Sequence, residues 1–319
     1  MKYCVIHNPH AGAGRGEARA RRCLALFSRG GAVIDDVEIR RFEEAFSLSR
    51  EANLAGYDAV VAIGGDGTIN KVLNGFFDGD GRRISSARFG VVHTGTSPDF
   101  CRSYGLPLDP EGAVEVLLRG RVRSIPVGQI RFHAYDRVPA GEAGGVPSPH
   151  ANSCFVCCAN IGLGAALATR ASSGIRGRFG DRLGTFLSLL QVLRSHEPED
   201  FRLLVDGEEV LLSRVYNISI GLTEYIASGI RVHNAAMRER GLFYMMTLRD
   251  LRAGSLPSVL RKIYSGRPFD DSAELSLRAC ARIDIPSHPT PADVEHDGDA
   301  CGHVPCSIER TAEGLELLC

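Results

Sequence analysis

The chain has 319 residues, 44% of them hydrophobic and 24% charged, with 37 basic side chains against 38 acidic ones. That length suits two cores better than one, and the composition is that of an ordinary globular protein. A formal net charge of −1 argues against nucleic acid as the main partner, and no apolar run approaches the roughly 20 residues that span a bilayer.

The chain opens MKYCVIHNPH, which has no secretory apolar region and reads directly as a strand, Tyr3–His7. The expected location is therefore the cytoplasm. The spacing then predicts a basic amphipathic helix over Glu17–Arg29, a strand over Val33–Arg40 and a helix over Glu43–Ala55. Ala59–Ile63 is a short β-branched apolar run, as expected of a strand buried on both faces. A helix follows over Asn70–Phe77, then a strand at Phe89–His93 and a helix at Glu111–Arg119. Strands alternating with helices imply a parallel sheet covered on both faces, with ligands at the carboxyl ends of the strands.

Beyond Arg121 the texture changes. Val122–Val127, Gln129–Tyr135, Ser153–Ala159, Phe201–Val205, Glu209–Leu212, Val215–Ile220, Leu242–Leu248 and Glu274–Ile285 read as strands, which predicts an antiparallel β-rich second domain. Its long helical stretch is Arg178–Leu193, and the Gly/Pro-rich Pro139–His150 reads as a surface loop. Ten cysteines are scattered along the chain. The cluster Cys154, Cys157, Cys158 lies in a strand-like segment, where thiols serve as small core hydrophobes, so neither a metal site nor a disulfide framework is expected.

Four segments carry chemistry. After the first strand comes Asn8-Pro-His-Ala-Gly-Ala-Gly-Arg15; with glycines at 12, 14 and 16 the backbone can wrap an anion, and Arg15 and Arg19 can neutralise it. After the third, Gly64-Gly65-Asp66-Gly67-Thr68 brings backbone N–H groups and a helix N-terminus to a phosphate. Asp66 adds a carboxylate there, which points to a nucleotide phosphate accompanied by a metal ion, or to a proton to be removed. The turn is neither a Walker A loop nor a dinucleotide fingerprint. After the fourth strand, Gly95, Thr96, Ser97 and Asp99 place hydroxyls and a second acid at the same edge; a helix-capping role for Asp99 is the plainer alternative. Near the end, Asp297-Gly298-Asp299 taken alone reads as a hairpin turn.

In this order the motifs resemble the diacylglycerol kinase catalytic family, which includes bacterial lipid kinases and the sphingosine and ceramide kinases. Asn8–Gly14 matches the family's first glycine motif, and Gly64–Gly75 its Gly-Gly-Asp-Gly-Thr-Ile-Asn segment, with Lys71 where the family has glutamate. Gly95–Arg102 matches the third motif with Pro98 in place of asparagine, and Asp297–Asp299 the late Asp-Gly-Glu with an aspartate last.

The resemblance implies an ATP-binding α/β domain over 1–122 and a β-rich, sandwich-like lipid-substrate domain over 123–303. A tail over 304–319 would return toward the first domain. It implies ATP and Mg²⁺ as cofactors, with Asn8, Gly12, Gly14, Arg15, Gly64, Gly65, Asp66, Gly67, Thr68, Asn70, Gly95 and Thr96 at the nucleotide. Asp66 would stand near the metal, Asp99 and Asp297 elsewhere in the cleft, and Asp299 would be the general base. The implied reaction is transfer of the γ-phosphate to the hydroxyl of a diacylglycerol-like or sphingoid lipid, with transient docking on a membrane. NAD kinases share the Gly-Gly-Asp-Gly-Thr turn, so a NAD or non-lipid alcohol kinase is one alternative. A nucleotide- or lipid-binding homologue with altered catalysis is the other.

Overall fold

The first half is built from strands β1 (Lys2–His7), β2 (Val33–Glu38), β3 (Ala59–Gly64), β4 (Arg88–His93) and β5 (Val122–Ile125). Helices α1 (Gly16–Arg29), α2 (Glu44–Leu54), α3 (Asp66–Asn74), α4 (Asp99–Tyr104) and α5 (Pro110–Arg119) connect them. The second half holds β6 (Gly128–Ala134), β7 (Ala151–Phe155), β8 (Cys158–Gly162), β9 (Glu199–Val205), β10 (Glu208–Gly221), β11 (Tyr225–Ile226) and β12 (Ile230–Arg231). It continues with α6 (Ala235–Glu239), β13 (Phe243–Arg249), α7 (Leu256–Tyr264), β14 (Leu275–Cys280), β15 (Ile283–Ile285), β16 (Asp293–His296), β17 (Asp299–Arg310) and β18 (Leu315–Leu318). The computed structural model describes residues 1–12, 14, 16–134, 151–166, 196–227, 229–252, 254–268 and 271–319. Arg15, the loop expected over Pro139–His150 and the helix expected over Arg178–Leu193 lie outside the described residues.

The first sheet has the order β2-β1-β3-β4-β18-β5. Strands β1 to β4 are parallel, and β18 lies parallel to β4 and antiparallel to β5. Every residue of β3 is buried. Its side chains alternate: Val60 and Ala62 meet Ile69, Val72, Leu73 and Phe76 of the α3 side, whereas Ala59, Val61 and Ile63 meet Cys23 and Phe27 of α1 and Leu117 of α5. Burying each large side chain contributes about 1.5–3 kcal/mol. The strand order reverses direction between β1 and β3, so a crevice opens at their carboxyl ends. Asn8 and Gly65 stand there.

The second sheet has ten strands among the described residues. Six of them, β10, β8, β16, β17, β15 and β9, pair in a ring, because β9 also pairs with β10. The long strand β10 makes this closure possible. Its first part pairs with β9 and its second with β8 and β13, with register shifts around Val215 and Arg214 at φ 52°. The two strands expected at Glu209–Leu212 and Val215–Ile220 are therefore one bent strand. The barrel interior is filled by Phe132, Phe155, Ile161, Phe201, Ile218, Ile220, Phe243 and Met245. The opposite face of β13, carrying Tyr244 and Met246, packs with Val259 and Ile263 of α7.

Other expectations are corrected by local hydrogen bonding. The helix after the glycine turn begins at Asp66 rather than Asn70, because Gly65 is the extended N-cap (φ −85°, ψ 177°) and Gly67 lies within the first turn. The strand expected over Ser153–Ala159 breaks where the N–H groups of Val156 and Cys157 turn to the Asp297 carboxylate. That expected over Glu274–Ile285 breaks where Ala281 and Arg282 donate to Asp206. No helix among the described residues is long and apolar enough to cross a membrane.

Candidate active site

Three loops meet at the crevice, and their glycines are there because neighbouring backbone or side chain leaves no room for a Cβ. A Cβ on Gly12, which has φ +64°, would lie 2.3 Å from the Thr94 carbonyl oxygen. One on Gly64 would lie 2.4 Å from Thr68 Cβ, and one on Gly95 2.6 Å from Gly65 Cα. Asn8 locks the first loop to the second: its Nδ2 donates to Thr68 Oγ1 at 3.0 Å, and its Oδ1 accepts from His10 N at 3.0 Å. Arg19 braces the third loop by donating to the Thr94 carbonyl at 3.1 Å. Helix α3 starts here with no side-chain cap, so its first N–H groups face the crevice. Such an end attracts phosphate.

Asp66 is the first residue of that helix. Its side chain is 20% exposed, and His93 Nε2 stands 3.6 Å from Oδ1. Oδ1 accepts no hydrogen bond among the described residues. Removal from water pushes the carboxyl well above its ordinary value, with Asp99 and Asp297 adding repulsion. Asp66 is thus a half-buried acid, one of its oxygens without a donor, at the head of a helix whose first N–H groups are open. Asp99 lies in the first turn of α4, capped by Pro98 rather than acting as the cap, and takes a hydrogen bond from Ser97 Oγ at 3.1 Å.

Asp297 and Gly298 both have positive φ, 48° and 87°, as a type I′ hairpin between β16 and β17 requires. The plain reading of that turn is correct, and the turn also has a second role. Asp297 Oδ1 accepts from the backbone N–H of Cys157 and Cys158 at 2.8 and 3.0 Å, and Oδ2 from Val156 N at 2.9 Å and Asn70 Nδ2 at 2.8 Å. Asn70 also donates to the Cys154 carbonyl, as does Asn74. Helix α3 of the first sheet is thereby fastened to the β7–β8 corner of the second. Asn70 is thus buried in this clasp.

Asp299 does not line the crevice. Its Oδ2 pairs with Lys71 Nζ at 2.7 Å, both side chains about a third exposed at 34% and 30%. The two departures from the family pattern, far apart in sequence, are partners in space.

A single cavity of about 470 Å³ joins the two halves. Asn8, Gly12, Gly65, Asp66, Gly67, Thr68, Gly95, Thr96, Asp99 and Asp297 line its polar end. Of the residues expected from the sequence, Gly14, Gly64, Asn70 and Asp299 stand outside the lining. The other end is apolar, made by Ile226, Met246, Leu248, Leu251, Leu256, Val259, Leu260, Ile263 and Leu275. Between them lies a polar row that the sequence reading did not assign to the site: Glu295, Asn160, Asn217 and Ser219. Its signal was there in the strand alternation, since Val294, Ile161 and Ile218 point into the barrel and leave their neighbours on the other face.

Fold and cleft together set an α/β sheet with glycine-rich loops against a β-barrel, across a cavity polar at one end and apolar at the other. Residues 2–130 match the diacylglycerol kinase catalytic domain, and residues 160–319 match the YegS C-terminal NAD kinase beta sandwich-like domain. The chain belongs to the diacylglycerol kinase catalytic family, whose members are phosphotransferases with an alcohol acceptor. A diacylglycerol kinase of Bacillus subtilis is 24% identical over 276 residues, covering 86% of this chain and 82% of that protein. One of Mycobacterium tuberculosis is 23% identical over 319 residues, covering 99% and 94%. A solved diacylglycerol kinase from Bacillus anthracis superposes with a TM-score of 0.69 at 17% identity, over 99% of this chain and 96% of that one. A second structure from that organism reaches 0.74 at 18% identity, over 99% and 97%. These likenesses show the fold.

Proposed function

We propose that the protein is an ATP-dependent lipid kinase that phosphorylates the hydroxyl of a diacylglycerol-like or sphingoid lipid. The observation that carries this reading is the continuity of the cavity, from uncapped N–H groups at Gly65–Thr68 to the apolar wall of Met246, Leu260 and Ile263. A triphosphate suits the first end and acyl chains the second. The glycine loops and the α3 N-terminus hold the phosphates, Thr68 and Thr96 offer hydroxyls, and Asp66 is the oxygen ligand available to Mg²⁺ carried with the nucleotide. When bound, the cation supplies charge neutralisation to the phosphates. The barrel excludes water and aligns the alcohol for in-line attack. The domain roles follow: nucleotide on the first sheet, lipid on the second, in a cytoplasmic protein that docks transiently on a membrane.

The test is phosphate transfer from γ-labelled ATP to diacylglycerol or sphingosine in mixed micelles, with NAD and glycerol as parallel acceptors. Label in the lipid and its loss in Asp66→Ala are expected. Transfer to NAD alone, or nucleotide binding without transfer to any lipid, refutes the reading.

A further inference from the structure

Register places one residue from each of four neighbouring strands in a row: Glu295 of β16 opposite Asn160 of β8, Asn160 opposite Ser219 of β10, and Ser219 opposite Met246 of β13. Directly opposed residues share a face of a sheet, and all four line the cavity. The row therefore crosses from the phosphate end to the acyl end, passing from carboxylate through amide and hydroxyl to thioether. It is also wired together. Asn160 Nδ2 donates to Glu295 Oε1, and Asn160 Oδ1 accepts from Ser219 Oγ and, at 3.1 Å, from Asn217 Nδ2. Gly298 N donates to Glu295 Oε2 at 2.8 Å.

Glu295 is 4% exposed, and no Lys, Arg or His forms an ion pair with it among the described residues. A buried carboxylate without a counter-ion is costly to keep for structure alone. The acid that the family pattern would put forward, Asp299, is instead tied to Lys71 at 2.7 Å and lies off the cavity lining.

We propose that Glu295 is the catalytic base of this chain, receiving the proton of the acceptor alcohol at the point where the polar and apolar ends of the cavity meet. The assignment rests on the kinase reading above. In the step, the alcohol O–H proton passes to a Glu295 oxygen while the alcohol oxygen forms its bond to the γ-phosphorus. The bond from that phosphorus to the β,γ-bridging oxygen breaks, and its electron pair leaves with the nucleoside diphosphate. Ser219 and Asn217 then hold the polar linkage of the lipid next to the reacting hydroxyl.

Burial raises the Glu295 carboxyl from an ordinary 4.5 to about 8, with Asp297 and Asp299 adding repulsion and the Asn160 and Gly298 hydrogen bonds opposing it. The other titratable groups facing it are the thiols of Cys158 and Cys301, both themselves raised by burial, while Lys71 is engaged by Asp299. A base with that value is half ionised near pH 8 and largely protonated at neutrality, so its ionised fraction grows through the slightly alkaline range.

The experiment measures initial rates of transfer from ATP to diacylglycerol in mixed micelles from about pH 6 to about pH 9, with the full chain and three variants. The unsubstituted protein should show a rising limb with its midpoint near pH 8. Glu295→Gln should lose about 100-fold in kcat or more and lose the limb, with nucleotide affinity changed by less than about threefold. Asp299→Asn should lose less than about tenfold and keep the limb. Glu295→Asp, the variant to use if the amide does not fold, should keep an ionisable limb at a rate about 10–100-fold lower. A Glu295→Gln rate within about threefold of the unsubstituted protein, or a limb that vanishes in Asp299→Asn, overturns the assignment. No transfer by the unsubstituted protein overturns the kinase reading itself.

Discussion

Replacing Asp297 by alanine removes one carboxylate and disturbs four hydrogen bonds at once. Three of the donors are backbone N–H groups of Val156, Cys157 and Cys158, and the fourth is the Asn70 amide. Each orphaned buried donor costs about 1–3 kcal/mol. The three backbone groups therefore set an expected loss of at least about 3 kcal/mol, eased only where water enters the space left by the carboxylate. Asp297→Asn is the milder variant, because one oxygen still accepts from two of the N–H groups while the new NH₂ faces the other pair. The chain contains no tryptophan, so urea unfolding is followed by far-UV circular dichroism and by fluorescence of its 8 tyrosines. The alanine variant should show a lowered midpoint. It should also show weaker nucleotide binding, since the clasp seats helix α3. A loss below about 1 kcal/mol, with nucleotide affinity intact, would refute the clasp.

Gly95→Ala places a Cβ 2.6 Å from Gly65 Cα and forces the two phosphate loops apart, so nucleotide affinity measured by calorimetry should fall about tenfold or more. Leu260→Glu sets a charge in the acyl end of the cavity; KM for diacylglycerol should rise about tenfold while the nucleotide Kd stays unchanged. Stability without ligand should depend on pH through Glu295. Because its folded value, about 8, lies above the ordinary 4.5, the unfolded chain ionises first. Stability is then fully present below the ordinary value and lost as pH rises toward 8, by up to about 1.4 kcal/mol per pH unit. Denaturation at about pH 5.5 and about pH 7.5 should show this fall, and Glu295→Gln should lessen it without abolishing it, because Asp66, also raised by burial, acts in the same direction.

The parallel first half was legible because its signals are local. A run such as Ala59–Ile63 is apolar at every position, and the glycines after it admit few conformations. The second half was legible as β-rich but not as a barrel. Closure depends on β10 bending at Val215 to serve two neighbours, and nothing in Glu208–Gly221 announces one strand rather than two. Helix α7 went unread although Leu256, Val259, Leu260 and Ile263 are spaced for it. The glycine loops of the candidate site stood out in the sequence, but Glu295 did not. An acid between Val294 and His296 reads as a solvent-facing strand position, and only the register against Asn160 turns that face toward a cavity. The Lys71–Asp299 pair was hidden for a different reason: the two residues looked like unrelated exceptions until the fold brought them within 2.7 Å.

Strand β18 sits between β4 and β5, with the whole second sheet separating it from both in sequence. On a ribosome, then, the first sheet emerges with a gap in it. The far flank of β4 waits with open hydrogen-bonding groups until the barrel has been made and Leu315–Leu318 can fill the slot. The two halves are in that sense locked by order of synthesis. The first sheet is completed only after the barrel exists, and a protein cut between them would carry an unprotected sheet edge.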